Sequence, residues 1–284
     1  MSCGRASVVS GPQRYLSPSP ISAEDITGAL HELGIRHGDT VFVHSSLHSS
    51  LRVAGRSPVD KMSTIVAALD RAVEGGTLVM PTFTYSFCRG ERFDVAETPS
   101  TVGALTEHFR RLPGVRRTFD PLFSAAVRGP LPARWEESFF RVRDTDSFGP
   151  ESVFACLRET GAKLLFFGVG FEYATFVHHA EQRMGVPYRF LKNFRGEVRA
   201  GDDAGTVTAR YFVRDLEGDV EPYFDPLADA LLTRGGASSA SIQRGPSLFL
   251  TDAAAVEATA RDRVGEHPDF LLRRGHARPP APER

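Results

Sequence analysis

The stretch that decides the fold is 163-KLLFFGVGFEYATFVHHAE-181. Its first part, residues 163–169, is almost entirely apolar, which predicts a buried strand. The strand runs out in Gly168 and Gly170, and the segment from Thr175 onward predicts a helix. A buried strand that leads through glycines into a helix indicates an α/β fold. Ligands of such folds bind beyond the carboxyl ends of the strands, so we expect a functional site here.

Two imidazoles and one carboxylate lie within four residues of the predicted helix. Residues three apart share a helix face, so His178 and Glu181 point the same way, while His179 points about 100° aside. A neutral imidazole accepts a proton near neutral pH, and a nearby carboxylate can orient it and stabilise its charged form. We therefore predict that His178 deprotonates an amine or a hydroxyl. A surface His–Glu pair is the alternative, and the position after an apolar strand favours the functional interpretation.

The chain upstream predicts a helix followed by a strand–helix–strand unit. Ser22 and Asp25 form a capping pattern at the start of the first helix, and Gly34 ends it. β-Branched and aromatic runs predict the strands, and an amphipathic period predicts the helix between them. A unit of this kind within one sheet favours a right-handed crossover. It comprises strand 40–46, helix 59–73 and strand 77–83.

The rest of the chain continues the alternation of helices and strands. Residues 84–100 predict a long polar and aromatic loop, of a length that often carries function. Residues 130–150 read as irregular, with Trp135 as their anchor. The other predicted elements are helix 102–111, strand 123–129, helix 150–159, strand 206–214, helix 225–234, strand 239–250 with a turn at Gly245-Pro246, and helix 252–263.

Length and composition fit one globular domain without a broad charged surface. The 284 residues are 41% hydrophobic with a net charge of −1, which argues against nucleic-acid or membrane partners. No apolar run approaches the roughly 20 residues that span a bilayer, and residues 1–20 lack the apolar core of a signal peptide. No repeat or linker divides the chain. We predict a single domain over residues 21–272 between a disordered arm, 1–20, and a disordered tail, 273–284.

Cysteine usage points to a reducing compartment. The three cysteines are scattered and odd in number, which predicts neither a disulfide framework nor a metal cluster. We therefore expect a cytoplasmic protein. The cysteines are Cys3, Cys88 and Cys156.

An ordered set of motifs, spread over about residues 22 to 265, resembles one known family. The resemblance is to the aminoglycoside 3-N-acetyltransferase family, also called the antibiotic N-acetyltransferase fold. No single motif decides it, but their order along the chain is specific. The motifs are 43-VHSSL-47, 80-MPTFT-84, 98-TPSTVGALTEHFRRLPGV-115, 124-SAAVRGP-130 and 167-FGVGFEYATFVHHAE-181.

The resemblance implies a single-domain, layered α/β fold distinct from the common acetyltransferase fold. It implies direct transfer of an acetyl group from acetyl-CoA to the primary amine of a small molecule, without a metal and without an acyl-enzyme. Direct transfer needs a base for the ammonium proton, and the resemblance assigns that role to His178 with Glu181 as its partner. The oligomeric state is left open, with a homodimer as one option.

The family also implies a set of donor-binding residues at strand ends. Hydroxyls and backbone N–H groups there can bind the amides and phosphates of coenzyme A. Thr82 or a neighbouring N–H group could stabilise the oxyanion that develops on the thioester. For Ser45, Ser46 and Thr82, strand-end capping is the alternative. The implied donor-binding residues are His44, Ser45, Ser46, Leu47, Thr82, Phe83, Ser100 and Gly103.

The chain departs from the aminoglycoside-modifying members at two places. Asp120-Pro121-Leu122-Phe123 stands where they usually carry His-Pro-x-His, and His179 stands where they usually carry an aliphatic residue. A basic and aromatic stretch, 187-PYRFLKNFRG-196, follows the predicted catalytic helix. Arginine is a natural ligand of phosphate and phosphonate. The predicted substrate-binding residues are Asp120, His179, Tyr188, Arg189 and Lys192.

These departures favour the biosynthetic branch of the family over its resistance enzymes. We therefore predict an anionic acceptor, bearing a phosphonate or a nucleotide, from natural-product biosynthesis. The alternative function is acetylation of an aminoglycoside in antibiotic resistance. The alternative structure for residues 187–196 is a solvated strand and turn with no part in binding.

Three functions of other classes are disfavoured by the motifs. A metal-dependent hydrolase could use His178, His179 and Glu181 as ligands, but adjacent histidines diverge on a helix and no His-Glu-x-x-His motif is present. A dinucleotide-binding fold would need a third glycine at a set spacing after Gly168-x-Gly170, and this chain does not have it. A non-catalytic binding module is at odds with the intact His-x-x-Glu pattern.

Overall fold

A computed structural model describes residues 19–46, 52–243 and 245–276. Within these ranges the strands form one sheet of seven strands, in the order β10-β11-β7-β1-β2-β5-β4, and one of four, in the order β3-β8-β9-β6. The strands are β1 Thr40–Ser45, β2 Thr77–Pro81, β3 Phe93–Asp94, β4 Arg116–Arg117, β5 Ala125–Arg128, β6 Thr145–Asp146, β7 Lys163–Phe167, β8 Arg189–Ala200, β9 Asp203–Arg214, β10 Ala237–Ser241 and β11 Ser247–Asp252.

The helices alternate with these strands along the chain, as the sequence predicts. The helix start at Ser22 is confirmed: Ser22 and Asp25 form a reciprocal capping box, and the C-cap is Gly34. The α-helices are α1 Ala23–Leu33, α2 Pro58–Ala72, α3 Ala104–Arg110, α4 Ala133–Phe139, α5 Val153–Glu159, α6 Phe176–Met184, α7 Asp225–Thr233 and α8 Ala253–Glu266.

The centre of the seven-stranded sheet is parallel. Strand β1 pairs with β2 on one side and with β7 on the other, in the registers Val41↔Leu78 and Val43↔Leu165. The predicted strand–helix–strand unit is therefore confirmed, with α2 as its crossover. Strands β5 and β11 run antiparallel to these three, so the sheet is mixed.

Both faces of the sheet are covered, because successive side chains of a strand point to opposite faces. Val41 and Val43 belong to one apolar cluster, which includes residues of α1 and α2. Phe42 and Phe166 belong to the other, which includes residues of α5, α6 and α8. This explains why β1 and β7 read as continuous apolar runs.

The four-stranded sheet is built on a long hairpin. Strands β8 and β9 pair over their full length of 12 residues, from Arg189↔Arg214 to Ala200↔Asp203. The predicted strand at 206–214 lies within β9. The stretch 187–196 is mostly strand β8, whose residues are exposed for the most part, as the alternative of a solvated strand expects.

Two regions differ from the sequence predictions. Residues 130–150 contain the helix α4 and the short strand β6, because Trp135 is buried and stacks on Phe139 with ring centroids 5.1 Å apart. Residues 239–250 form two antiparallel strands. Gly245-Pro246 lies between these strands, as predicted.

The C-terminal residues that the structure describes pack against the domain. Leu271 and Leu272 are buried, and a short 3₁₀ helix covers Arg273–Gly275. Residues 277–284 lie outside the described ranges, as do residues 1–18 of the predicted arm. Among the described residues, no helix is long and apolar enough to cross a bilayer.

Candidate active site

A cavity of about 750 Å³ opens at the carboxyl ends of β1, β2 and β7. This is the edge at which α/β sheets bind their ligands. The walls mix hydroxyls, glycine backbone, aromatic rings and two histidines. The lining residues are His44, Ser45, Ser46, Pro81, Phe83, Tyr85, Val102, Gly103, Ala104, Gly168, Val169, Gly170, Glu172, Tyr173, Ala174, Thr175, His178 and Phe224.

A tight glycine turn carries the chain from β7 around the cavity to α6. Gly168 has φ of 65°, in the left-handed region that favours glycine. At Gly170, a Cβ atom would lie 1.9 Å from the Glu172 carboxylate, so a side chain there would displace Glu172. A 3₁₀ helix, Phe171–Tyr173, follows at once. The turn thus brings the first turn of α6, with His178, onto the cavity wall.

His178 and Glu181 form the predicted pair. The Nδ1 atom of His178 lies 2.7 Å from Oε2 of Glu181. The His178 side chain keeps 17% of its surface exposed, whereas Glu181 has 0%. The rings of Phe148 and Phe224 stand edge-on to the imidazole, at centroid distances of 5.4 and 5.7 Å. The imidazole therefore faces the cavity between two aromatic rings, with the carboxylate behind it.

Two further side chains hold the Glu181 carboxylate from behind. The hydroxyl of Tyr188 donates to Oε1 at 3.0 Å, and Nε of Arg189 lies 2.7 Å from Oε2. Arg189 is itself only 2% exposed. The carboxylate is therefore enclosed by an imidazole, a phenol and a guanidinium.

This network fixes the proton on one nitrogen of His178. A carboxylate paired with a guanidinium acts as an acceptor, so Nδ1 of His178 carries the proton that it shares with Glu181. The Nε2 atom then holds the free lone pair. Burial lowers the pKa of His178 below its ordinary value of 6.5, and the positive charges of Arg189 and Arg214 lower it further. Glu181 raises this pKa, but by less. The net lowering favours the neutral imidazole at pH 7.

Most of the predicted donor-binding residues line the cavity. His44, Ser45, Ser46, Phe83 and Gly103 all do so. Leu47 lies outside the described residues. The Nε2 atom of His44 and Oγ of Ser45 are buried without a partner among the described residues. Unpaired buried polar atoms are rare, so this end of the cavity suits a ligand with polar groups.

Thr82 and Ser100 do not line the cavity. Thr82 is completely buried, and its hydroxyl pairs with the Ser124 hydroxyl at 3.1 Å. The Ser100 hydroxyl lies 3.3 Å from that of Thr106, and its N–H donates to Glu107 at 2.9 Å. The prediction that these two residues contact the donor therefore lacks geometric support, because both serve local packing.

A family model described as aminoglycoside 3-N-acetyltransferase matches residues 42–262. This is more than half of the chain. The chain belongs to this family. The match confirms the predicted class of enzyme, an N-acetyltransferase, and the similarity to solved structures confirms the predicted α/β fold.

Individual relatives agree with the family. An aminoglycoside N(3)-acetyltransferase IV from Salmonella sp is 34% identical over 166 residues, which span 58% of this chain and 60% of that protein. A mutant of the aminoglycoside acetyltransferase AAC(3)-IVa, solved in complex with a gentamicin, is 25% identical, with a TM-score of 0.70 over 94% of this chain and 95% of that chain. The coenzyme A complex of AAC-IIIb is 24% identical, with a TM-score of 0.72 over 87% and 97% of the two chains. The description of the family as an N-acetyltransferase agrees with the predicted acetyl donor.

The predicted substrate-binding residues of this family member lie away from the cavity. None of them is among the residues that line it. Tyr188 and Arg189 are buried on Glu181, and the Nδ1 atom of His179 lies 2.7 Å from the Phe148 carbonyl oxygen. Asp120 accepts from the backbone N–H groups of Leu122 and Phe123, at 2.8 and 2.9 Å.

Lys192 is the only exposed member of that predicted set, and its Nζ lies 5.2 Å from the centre of the Phe194 ring. The predicted direct contacts with the acceptor therefore find no support in the lining of the cavity. The side chains of Asp120, His179, Tyr188 and Arg189 each make at least one hydrogen bond or ion pair inside the protein. A polar group that is hydrogen-bonded inside the protein can bind a ligand only if its internal bond is broken.

Four cavity residues with aromatic or acidic side chains were not singled out from the sequence. Tyr85 and Phe224 contribute aromatic surface, Tyr173 is exposed at the rim, and Glu172 brings a carboxylate. Position was the only signal in the sequence. Tyr85 falls in the long loop 84–100, and Glu172 and Tyr173 closely follow Gly170. The 84–100 prediction of a functional loop gains support from Tyr85.

A buried arginine fixes that loop to the sheet. Arg117 donates to the Ser124 hydroxyl at 2.9 Å, to the Val95 carbonyl at 3.3 Å and to the Thr82 carbonyl at 2.6 Å. Nothing in the spacing of the sequence pointed to this role. The described residues contain no group of three or more His, Cys, Asp or Glu side chains arranged to hold a metal ion.

Proposed function

We propose that this protein transfers the acetyl group of acetyl-CoA to a primary amine of an aminoglycoside-type amino sugar. The observation that carries the proposal is the His178–Glu181 pair at 2.7 Å on the wall of the large cavity, in a member of this family. A general base must reach the proton that it removes. His178 alone combines a carboxylate partner with access to the cavity among the described histidines.

In the proposed mechanism, Nε2 of His178 takes the proton of the attacking amine. Glu181 holds the imidazole by Nδ1 and stabilises the positive charge that develops on the ring. Acetyl-CoA, when bound, supplies the activated acetyl group. Phe148 and Phe224 flank the imidazole and exclude water from its edges, which strengthens the electrostatic effect of Glu181.

The end of the cavity near β1 fits the donor. Ser45, Ser46 and the backbone at Gly103 are neutral and polar, and Phe83 is apolar. The pantetheine arm of coenzyme A carries polar amides on an uncharged, partly apolar chain. Its amides would meet the polar residues and its apolar carbons would meet Phe83. The polar atoms of His44 and Ser45 without partners among the described residues would gain partners there.

The acidic residues that line the cavity and its neighbour favour a cationic acceptor. Glu172 lines both this cavity and a neighbouring one of about 580 Å³, which Asp225 and Asp229 also line. No arginine or lysine is among the described residues that line either cavity. Carboxylates of this kind complement an amino sugar with several ammonium groups.

The anionic acceptor that the sequence favoured is the second candidate. Its main support was Arg189, which is buried against Glu181 and is therefore not available to a phosphonate. Lys192 and Arg195 remain exposed on β8 as the only predicted cations that could still serve it. The aminoglycoside acceptor is thus better supported, both by the cavity and by the relatives.

The residue chemistry also argues against an acyl-enzyme. Burial raises the pKa of Cys88 and raises that of Cys156 to about 12. A thiol must ionise to act as a nucleophile, so neither cysteine is suited to accept the acetyl group. Both are free thiols, and a reduced cytoplasm stays the predicted compartment.

The test is coenzyme A release, measured with a thiol reagent, from acetyl-CoA and three acceptors. The acceptors are gentamicin, apramycin and 2-aminoethylphosphonate, with His178→Ala as the inactive control. We expect intersecting double-reciprocal lines and a higher kcat/KM for the aminoglycosides. Parallel lines or an acetylated cysteine would contradict direct transfer. A higher kcat/KM for the phosphonate would reverse the choice of acceptor.

A further inference from the structure

Two groups that can carry a positive charge lie against one buried carboxylate in this site. Oε2 of Glu181 lies 2.7 Å from Nδ1 of His178 and also 2.7 Å from Nε of Arg189. Glu181 is fully buried and Arg189 nearly so. A buried carboxylate needs a counter-charge, because isolation from water makes its bare charge costly. One carboxylate, however, neutralises only one cation.

The two competitors differ in their ability to lose a proton. An arginine side chain stays protonated in proteins, whereas an imidazole titrates near neutral pH. Arg189 is therefore the permanent counter-ion, and His178 is the group that can give up its charge. A second cation beside the same carboxylate would repel Arg189 across a site of low dielectric.

The other groups around His178 also favour its neutral form. Phe148 and Phe224, which flank the ring, carry no charge. Tyr188 donates to Glu181 and so competes with the imidazole for the same carboxylate. Arg214, the cross-strand partner of Arg189 at the end of β9, adds a second positive charge that lowers the pKa of His178.

We propose that Arg189 is a positioning residue that acts as the permanent counter-ion of Glu181 and thereby keeps His178 unprotonated and available as a base at neutral pH. Without Arg189, the carboxylate would take its counter-charge from His178. The imidazole would then hold a proton on both nitrogens and could not accept another. The role in catalysis rests on the proposed function, but the ionisation of His178 does not.

The decisive measurement is a histidine side-chain ¹⁵N NMR titration of the full-length protein. His178→Gln identifies the His178 signals among those of the nine histidines. In the wild type we expect a neutral His178 with its proton on Nδ1 at pH 7. A cationic His178 at pH 7 in the wild type would overturn the proposal, whatever the variants do.

Three variants then separate charge from packing. Arg189→Met keeps much of the volume without the charge, and its His178 should titrate about 1–3 pH units higher than in the wild type. Arg189→Lys retains the charge and should stay near the wild-type value. Tyr188→Phe removes one hydrogen bond to the same carboxylate without changing the charge, so it should move the titration far less than Arg189→Met. An equal shift in Arg189→Lys and Arg189→Met would show a packing effect and refute the proposal.

The pH dependence of kcat/KM supplies the second readout. With His178 titrating about one unit above pH 7, Arg189→Met should lose about tenfold in kcat/KM at pH 7 and recover most of it at pH 9. The titration of the acceptor amine is common to both enzymes and cancels in the ratio. A loss in Arg189→Met that is the same at pH 7 and pH 9 would contradict the proposal. If no acceptor is turned over at all, the proposed function fails, and the NMR titration still decides the role of Arg189.

Discussion

His44 and His178 line the same cavity, but only one of them has a partner that can stabilise a positive charge. His178 has Glu181 at 2.7 Å. His44 stacks on Phe166 with ring centroids 5.1 Å apart, and its Nε2 has no partner among the described residues. Burial lowers the pKa of His44 to about 3, so it stays neutral throughout the physiological range. The comparison teaches that access to the cavity does not make a histidine a base; the support of its charged form does.

The largest expected effect comes from removing the supported histidine. His178→Ala should lower kcat by about 10²–10⁴-fold, the usual range for the loss of a general base. The KM for acetyl-CoA should change little, because the imidazole is assigned to the proton of the amine. Steady-state kinetics with both substrates varied would check both statements. A variant that keeps wild-type kcat would remove His178 from the mechanism and with it the contrast to His44.

A bulky residue on the wall beside His44 should affect the donor instead. Ser46→Trp should raise the KM for acetyl-CoA by about tenfold or more, equivalent to at least about 1.4 kcal/mol of donor binding. The KM for the amine should move less. Thr82→Val is the matched control, because Thr82 loses only its bond to Ser124 and does not line the cavity. If the amine KM alone rises in Ser46→Trp, the donor and acceptor ends of the cavity are reversed.

The histidine next to the base should matter for stability more than for chemistry. The His179 ring is buried and its Nδ1 lies 2.7 Å from the Phe148 carbonyl oxygen. His179→Ala should lower the free energy of unfolding by about 1–3 kcal/mol, through a lost bond and an unpaired carbonyl. Urea unfolding would measure this, with kcat as the second readout. A drop in kcat as large as that of His178→Ala would show that His179 takes part in the proton transfer.

The smallest expected change sharpens the comparison most directly. His44→Phe keeps a ring stacked on Phe166 and removes only the polar nitrogens, so kcat should stay within about threefold of the wild type. The acid limb of kcat/KM should also stay in place, below pH 6.5, because it reports the lowered pKa of His178. Activity is lost as the pH falls through that pKa, since protonation removes the base. A displaced limb in His44→Phe would show that His44 titrates in the working range.

Much of this arrangement is predictable because it is local. Helix geometry alone places His178 and Glu181 on one face and His179 on another, and the structure has all three as that spacing demands. The capping box at Ser22 and the buried runs of β1 and β7 are likewise set by neighbours in sequence. The glycines after β7 marked the turn that leads to the site.

The positions of Tyr188, Arg189 and Thr82 could not be predicted in the same way. In a strand, adjacent side chains point to opposite faces, but the sequence does not say which face will meet the rest of the protein. Arg189 looked like a ligand of an external anion because its charge was visible and its partner was not. The partner is Glu181, eight residues away on a different element.

The sequence by itself therefore determined most of the elements, their α/β alternation and the pairing of His178 with Glu181, because each depends on periodicity and spacing within a few residues. The tertiary structure decided which side chains reach the cavity. It turned Thr82 toward Ser124 and Arg189 toward Glu181, and it left Ser46 and His44 on the cavity wall. The physical reason is that a buried polar or charged group must find its partner inside the protein, and the packing of the two sheets determines which partner is within reach.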